Sequence, residues 1–235
     1  MKRKIELFMI LFLLIGAIVA SWKLSELTAN VSKEEKKAKQ DEIVIVVDPG
    51  HGGEDPGKVG INDVLEKDLN LQIAQKVKKL LEEAGIKIVM TRTNDKVPDA
   101  KKEDLNQRVQ LINETKPTLA LCIHQNSYPD EKIRGAQVFY HTLTSEAEDV
   151  ASIVQEELRT VDPTNTRQIK ENDTYYMLKN TQVPTIIVEC GFLTNPDEAT
   201  KLTQEEYQEQ IAKAICEGVV KWLSGEGESE TENEQ

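Results

Sequence analysis

The stretch IVIVVDPGHGGEDPGKVG, residues 43–60, joins an apolar run to a glycine-rich polar loop. Its first five residues are all β-branched, which is typical of a strand buried on both faces of a parallel sheet. Such a strand needs helices on both sides, and the polar loop begins where the strand ends. The stretch therefore predicts an α/β protein with its chemistry at the carboxyl end of this strand.

Apolar runs and helical periodicities alternate through the rest of the chain. Leu residues 65, 69 and 81, with Ile73 and Val77, recur every four positions and predict a helix that Gly85 ends. Further strands are predicted at 86–92, 118–124, 135–142 and 185–192, and further helices at 103–115, 145–160 and 203–223. This alternation predicts a single catalytic α/β domain, a three-layer sandwich whose mostly parallel twisted sheet carries helices on both faces.

Three segments flank this predicted catalytic domain, which spans residues 43–224. Residues 1–27 start with a basic cluster and continue into an apolar run, which predicts either a cleaved signal peptide or a membrane anchor. If the segment is uncleaved, residues 5–22 make the only membrane contact. Residues 28–42 read as a charged linker and residues 225–235 as an acidic disordered tail. The protein is therefore expected outside the cytoplasm, secreted or anchored.

The net charge and the cysteine positions argue against a nucleic-acid-binding protein and against a disulfide-stabilised fold. The net charge is −12, and nucleic acid is excluded as a partner because phosphate neutralisation needs clustered Lys and Arg. The three cysteines, Cys122, Cys190 and Cys216, are too scattered for a disulfide framework. Two of them stand in apolar runs, where Cys packs as a small hydrophobe.

Part of the opening loop also fits a phosphate-binding motif. Gly52, Gly57 and Lys58 match the first positions of a P-loop, but Val59 stands where Ser or Thr is required. The preceding acidic pair, Glu54 and Asp55, would repel phosphates. The loop is therefore not expected to bind a nucleotide.

Polar residues at the predicted strand ends suggest a metal centre instead. His51 and His124 each follow an apolar run, and Glu66 begins the first helix. Two imidazoles and one carboxylate form a three-ligand set for a catalytic zinc ion, one per chain. Glu189, directly after TIIV, could take a proton from a water molecule at that site. Asp48 is expected to support the loop or a ligand histidine.

Each of these residues also has an ordinary structural interpretation. His51 could be a plain loop residue, His124 a satisfied core histidine, and Glu66 a solvated residue in the first helical turn. Glu189 is harder to explain structurally, because burying an unpaired carboxylate is costly.

Six ordered motifs carry a family resemblance: VVDPGHGGEDPGKVG, LEKDLNLQIA, MTR, DLNQRVQLIN, CIHQNS and VECGFLTNPDE. Over residues 43–223 the chain resembles the zinc-dependent N-acetylmuramoyl-L-alanine amidases, cell-wall hydrolases of the third amidase type. Its short length, its N-terminal apolar segment and its lack of wall-binding repeats are most similar to the germination-specific members, which act in making spore cortex.

The resemblance implies a reaction and a set of residues. It implies hydrolysis of the amide between N-acetylmuramic acid and the L-alanine of the stem peptide in peptidoglycan, leading in spores to muramic lactam. The implied zinc ligands are His51, Glu66 and His124, with Glu189 catalytic and Asn126 in the active site. Arg92 and Arg108 are expected either to orient substrate or acidic groups, or to form structural ion pairs.

The resemblance also implies a cellular setting and a partner. The developing spore would place the enzyme in its intermembrane space, and an activating protein partner would fit the absence of a self-inhibiting insert. Two alternatives stay open: another zinc peptidase acting within the stem peptide, and a non-catalytic wall-binding module or scaffold.

Overall fold

The computed structural model describes residues 22–23, 43–142 and 145–225 and contains a six-stranded sheet. The strands are β1 (Val44–Pro49), β2 (Lys87–Met90), β3 (Leu119–Asn126), β4 (Gln137–Tyr140), β5 (Lys170–Glu171) and β6 (Thr185–Phe192). The helices are α1 (Glu66–Glu83), α2 (Lys101–Thr115), α3 (Ser145–Val161), α4 (Tyr176–Asn180), α5 (Pro196–Leu202) and α6 (Glu205–Ser224).

The sheet is mostly parallel, as predicted. Its strand order is β2-β1-β3-β6-β4-β5, and β4 is antiparallel to β6 while all other neighbours are parallel. The central strands β1, β3 and β6 are buried along nearly their whole length. Their carboxyl ends lie together at one edge, which is where the polar residues of the sequence motifs stand.

Helices cover both faces of the sheet, which confirms the three-layer prediction. Along β1, Ile45 and Val47 belong to the larger core cluster with α1, α3 and α6, whereas Val46 belongs to the smaller cluster with α2 and α4. This alternation follows from the two-residue period of a strand. Cys122 packs in the smaller cluster, and all three cysteines are buried and free.

The helix predicted at 203–223 departs from the structure at its start. The structure has two helices there, and Asn195 caps the first by accepting hydrogen bonds from the amides of Asp197 and Glu198. Pro196 then takes the first helical position, where its missing N–H costs nothing. Helix α6 begins afresh at Glu205, so the predicted boundary was two residues early and the capped helix before it was missed.

The predicted terminal segments fall largely outside the described residues. The export segment (1–27, apart from Trp22 and Lys23), the linker (28–42) and the tail beyond Gly225 lie there, and all three stay predictions. Among the helices that the structure does describe, none is both long and apolar enough to cross a membrane.

Gly218 provides a test of the packing between α3 and α6. A Cβ at this position would lie 2.8 Å from the Cα of Val154. Gly218→Ala gains about 1 kcal/mol of helix propensity, but overpacking a backbone contact costs about 1–3 kcal/mol. We expect a net loss of stability and a lower melting temperature in thermal unfolding. Glu217→Ala, on the exposed face beside it, should change the melting temperature little, and a more stable Gly218→Ala protein would contradict the close contact.

Candidate active site

Four side chains from four different elements meet at the carboxyl edge of the sheet. His51 follows β1, Glu66 is the first residue of α1, and His124 lies in β3. The Oε1 atom of Glu66 lies 3.2 Å from His51 Nε2 and 3.0 Å from His124 Nδ1. Glu189 on β6 is the register partner of His124 on the neighbouring strand. The structure thus brings together all four residues that the sequence singled out as ligands and base.

His51 has an uncommon backbone conformation. Its φ is +63°, in the left-handed region that non-glycine residues rarely adopt. Arg108 holds this conformation by donating a hydrogen bond from Nη2 to the His51 carbonyl at 2.6 Å. The buried arginine therefore maintains the strained turn that aims the imidazole at Glu66.

Asp55 fixes the orientation of the His51 ring. Its Oδ2 atom lies 3.0 Å from His51 Nδ1, and its Oδ1 atom accepts a hydrogen bond from the Gly57 amide. Burial alone would raise the pKa of the Asp55 carboxyl, but hydrogen bonds from His51, Lys101 and Gly57 lower it to about 2. The contact directs Nδ1 to this carboxylate, and a proton held on Nδ1 would leave Nε2 able to bind a metal ion through its lone pair.

Glu66 is buried and almost fully hydrogen-bonded. Its Oε2 accepts from the Lys58 amide at 2.8 Å, and its Oε1 accepts from the Gln125 amide at 3.1 Å. Burial raises the pKa of this carboxyl, yet the interactions with His124 and His51 outweigh it and hold the pKa well below its usual range. Glu66 is therefore a fixed anion between the two imidazoles.

Two glycines make this close assembly possible. A Cβ on Gly50 would lie 2.1 Å from the His124 ring, and one on Gly57 would lie 2.6 Å from Glu66 Oε2. Gly57 also has a φ of +67°, which disfavours any side chain. The glycines of the opening stretch thus clear space for the ligand side chains.

The three-residue cluster fits a zinc ion by its donor set and spacing. One donor atom each from His51, Glu66 and His124 lies within 4.8 Å of the others. Ligand atoms about 2.0–2.1 Å from a tetrahedral zinc ion lie about 3.3 Å apart. The 3.0 and 3.2 Å separations around Glu66 Oε1 are close to that value. Two neutral nitrogens and one carboxylate oxygen also match the ligands of catalytic zinc centres.

Glu189 stands beside this cluster without being part of it. Its side chain is buried, and its Oε2 atom has no hydrogen-bond partner in the described part of the chain. Burial raises the pKa of Glu189 to about 7, although nearby His124 opposes the shift. Tyr175 lines the same pocket and lowers the pKa of the Glu189 carboxyl in part. A carboxyl with a pKa near neutrality and a free oxygen is suited to exchanging a proton.

A pocket of about 440 Å³ opens over these residues. It reaches from the cluster and Glu189 to Asn126 and Ser127, and on the other side to Lys101 and Leu105 of α2 and to the tyrosines Tyr175 and Tyr176. The pocket gives a substrate access to Glu189 and to the ligand cluster together.

The other residues predicted for the site either line the pocket or support the loop that carries His51. Asn126 lines the pocket. Asp48 supports the loop rather than a histidine, because it accepts hydrogen bonds from Thr91 and Arg108. Arg92 is buried and donates to the carbonyls of Pro49, Gly50 and Lys67. Arg108 forms ion pairs with Asp48 and Asp104, which fits the structural alternative. Arg92 forms no ion pair within the described residues and supports the loop through carbonyls instead.

Asp55 and Tyr175 are members of the site that the sequence patterns did not predict. Asp55 was considered only as a charge that repels phosphate, although it stands four residues after His51 in the same glycine-rich loop. That short spacing was the available signal for a carboxylate–histidine pair. Tyr175 precedes a five-residue helix with no recognisable periodicity, so no pattern pointed to it.

Asp55→Asn tests the role assigned to this carboxylate. Losing such a partner typically weakens metal affinity about 10–100-fold, because the ring loses its fixed tautomer and orientation. We expect a weakening of that size when Zn²⁺ affinity is measured by competition with a chromophoric chelator. Glu54→Gln, an exposed neighbour in the same loop, is the matched control and should keep wild-type affinity. Equal affinities for the two variants would contradict the role of Asp55.

Comparison with known proteins gives consistent matches. A family model described as N-acetylmuramoyl-L-alanine amidase (Amidase_3) matches residues 45–221. The germination-specific N-acetylmuramoyl-L-alanine amidase of Bacillus subtilis (strain 168) is 40% identical over 194 residues, covering 79% of this chain and 81% of that protein. The amidase LytC of the same organism is 33% identical over 180 residues, covering 76% of this chain but 35% of LytC.

A solved structure matches over a similar part of the chain. The CwlD amidase from Clostridioides difficile, in complex with the GerS lipoprotein, has a TM-score of 0.75 and 36% sequence identity. The match covers 78% of this chain and 100% of that chain.

Proposed function

Since the chain belongs to the N-acetylmuramoyl-L-alanine amidase family, whose members act on peptidoglycan, we propose that it works through one zinc ion held by His51, Glu66 and His124. Glu189 is the general base in this proposal. The observation that carries it is the convergence of three donor atoms beside a buried glutamate whose Oε2 has no partner in the described residues.

The reaction is hydrolysis of the amide between the lactyl group of N-acetylmuramic acid and the L-alanine of the stem peptide. When bound, zinc acts as a Lewis acid on the scissile carbonyl and makes an attacking water more acidic. Glu189 accepts the proton of that water at its free Oε2 and then returns it to the leaving nitrogen. The C–N bond breaks, the carbonyl carbon keeps the oxygen of water, and the stem peptide leaves with a new amino group.

Tyr175 has a supporting part in this scheme. It lines the pocket beside Glu189, and its hydroxyl opposes the rise in the pKa of that carboxyl. Burial raises the pKa of Tyr175 to about 12, so the phenol stays protonated and serves as a donor. It stabilises the ionised form of Glu189, which is the form that can accept a proton.

The relationship to the germination-specific amidase of Bacillus subtilis supports a role in the spore cortex, at 40% identity over most of both chains. The cell-wall substrate lies outside the cytoplasm, so the enzyme acts there, whether residues 1–27 are removed or kept as an anchor. In the developing spore this places it in the intermembrane space. Removing the stem peptide would expose the muramic acid that muramic lactam formation requires.

A protein partner is part of the proposal. The matched CwlD structure was determined in complex with a lipoprotein. By analogy, this chain would also work with an extracytoplasmic partner that assists its activity.

Identifying the digestion products tests the proposed reaction. A soluble fragment of residues 28–235, supplied with zinc, is incubated with purified peptidoglycan, and the new end groups are labelled and identified. The proposal predicts new N-terminal L-alanine. Release of D-alanine without new N-terminal L-alanine would instead assign a zinc peptidase acting within the stem peptide.

A further inference from the structure

A second groove adjoins the catalytic pocket. It measures about 350 Å³ and shares the wall residue Ser127 with that pocket. The groove runs between the loop that follows Gly57, the loop that follows β3 and the start of the loop after β6. Its other principal wall residues are Lys58, Ile61, Tyr128, Glu131 and Thr194.

Hydrogen bonds between the three loops fix the shape of this groove. The Ile61 amide donates to the Leu193 carbonyl at 3.1 Å, and the Tyr128 amide donates to Thr194 Oγ1 at 3.0 Å. The side chain of Asn195 donates to the Glu131 carbonyl at 2.7 Å. The groove is therefore built before any ligand arrives, and binding there does not have to order the loops.

The apolar side chains on these loops contribute little to the core. Tyr128 is 54% exposed, Ile61 is 48% exposed and Val59, beside the groove, is 46% exposed. A single exposed apolar side chain needs no explanation, but these three stand on adjoining loops that form the groove beside the catalytic pocket. Such a patch next to a reaction centre offers contact area for a substrate.

Two side chains of opposite charge line the groove. Lys58 and Glu131 both line it, and both side chains are exposed. Within the described residues, neither charged group forms an ion pair or a hydrogen bond with another side chain. Only the backbone of Lys58 is engaged, through its amide to Glu66. The groove thus presents one cationic and one anionic group that are available to a ligand.

We propose that this groove binds the stem peptide of peptidoglycan on the leaving side of the scissile amide. Stem peptides combine free carboxylates with the amine of a diamino residue, which matches Lys58 and Glu131. The sugars of the glycan carry neutral hydroxyl and acetamido groups near the scissile bond, and they would leave both charges unmatched. Tyr128 and Ile61 cover the aliphatic parts of the peptide. The inference rests on the proposed amidase function and assigns its peptide subsite.

Charge-specific binding tests the assignment. The ligands are soluble stem tripeptides whose second residue has either a free carboxylate or an amide, and binding is measured by calorimetry on zinc-loaded Glu189→Gln protein. Because a hydrogen bond to a charged group is lost, Lys58→Ala should weaken binding of the free-carboxylate peptide about tenfold to 100-fold and leave the amidated peptide nearly unchanged. Tyr128→Ala should weaken both peptides.

Lys132→Ala is the matched control. Lys132 is exposed on the loop that carries Tyr128 and Glu131, but it does not line the groove. In the otherwise wild-type enzyme, Lys58→Ala should raise KM for muropeptides and leave kcat unchanged. The melting temperatures of all variants should agree, since both groove residues are exposed.

Two results would overturn the assignment while leaving the amidase function intact. The first is that Lys58→Ala and Tyr128→Ala match Lys132→Ala in peptide binding while the wild-type enzyme releases N-terminal L-alanine. The second is weaker binding of glycan-containing muropeptides with no change for free peptides, which would assign the groove to the glycan. Failure of the wild-type enzyme to release N-terminal L-alanine would instead refute the proposed function.

Discussion

Replacing Glu189 with glutamine is expected to abolish peptidoglycan digestion and to leave the fold and the metal content unchanged. Glutamine has the shape of glutamate but cannot accept the proton of the attacking water. General bases contribute about 10²–10⁴-fold to the rate, so the rate of peptidoglycan digestion should fall about 10²–10⁴-fold or more. Glu189 is outside the ligand cluster, so zinc should bind as in the wild type.

The stability of Glu189→Gln should separate a catalytic role from a structural one. Burial raises the pKa of this carboxyl to about 7, so its charged form is unfavourable in the folded state. A neutral amide removes that cost, and the melting temperature should stay the same or rise. A structural glutamate would give the opposite change.

Glu157→Gln is the matched control for this experiment. Glu157 is also a buried glutamate, but it lies on α3 and pairs with Lys221. Its variant should digest peptidoglycan at the wild-type rate. Undiminished digestion by Glu189→Gln would refute the general-base assignment, and inactivity of the wild-type protein with zinc bound would favour the binding-module or scaffold alternative.

Replacing either ligand histidine with alanine is expected to remove the metal. The site holds three protein ligands, and a catalytic zinc site depends on all of them. Loss of a residue that only supports a ligand weakens affinity about 10–100-fold, so loss of a ligand should exceed that range. We expect zinc content measured by mass spectrometry to fall from about one ion per chain towards zero in His51→Ala and in His124→Ala.

The third histidine supplies the control for these two variants. His141 lies outside the cluster, and His141→Ala should keep about one zinc ion per chain. If stoichiometric zinc survives both His51→Ala and His124→Ala, the assignment of the metal centre is wrong.

The main strands and helices were predictable from the sequence because their buried residues form a continuous apolar run or a regular repeat. The run at 185–192 matches β6 residue for residue, and all eight residues are buried. The four-residue repeat that includes Leu69 and Ile73 lies on the buried face of α1. β5 and α4 were missed for the opposite reason. β5 is two exposed residues, Lys170–Glu171, and α4 is five residues, too short to show a period.

Site residues were predictable where a metal-binding or proton-accepting side chain stands at the end of a predicted strand. His51, His124 and Glu189 each interrupt or follow an apolar run, and the structure places them at one edge of the sheet. The contacts of Arg92 were not predictable, because its partners are backbone carbonyls of a folded loop. A carbonyl acceptor leaves no trace in the sequence, since every residue has one. The ion pairs of Arg108 with Asp48 and Asp104 are of the kind that the sequence predicted.

A zinc titration of metal-stripped protein, with amidase activity as the readout, tests the metal centre and its reaction together. Zinc is added in fractions of an equivalent, and new N-terminal L-alanine released from peptidoglycan is measured at each step. We predict no release without metal, then a linear rise that saturates at about one zinc ion per chain. Full activity in the metal-stripped protein, or no release at any zinc level, would contradict a zinc-dependent amidase.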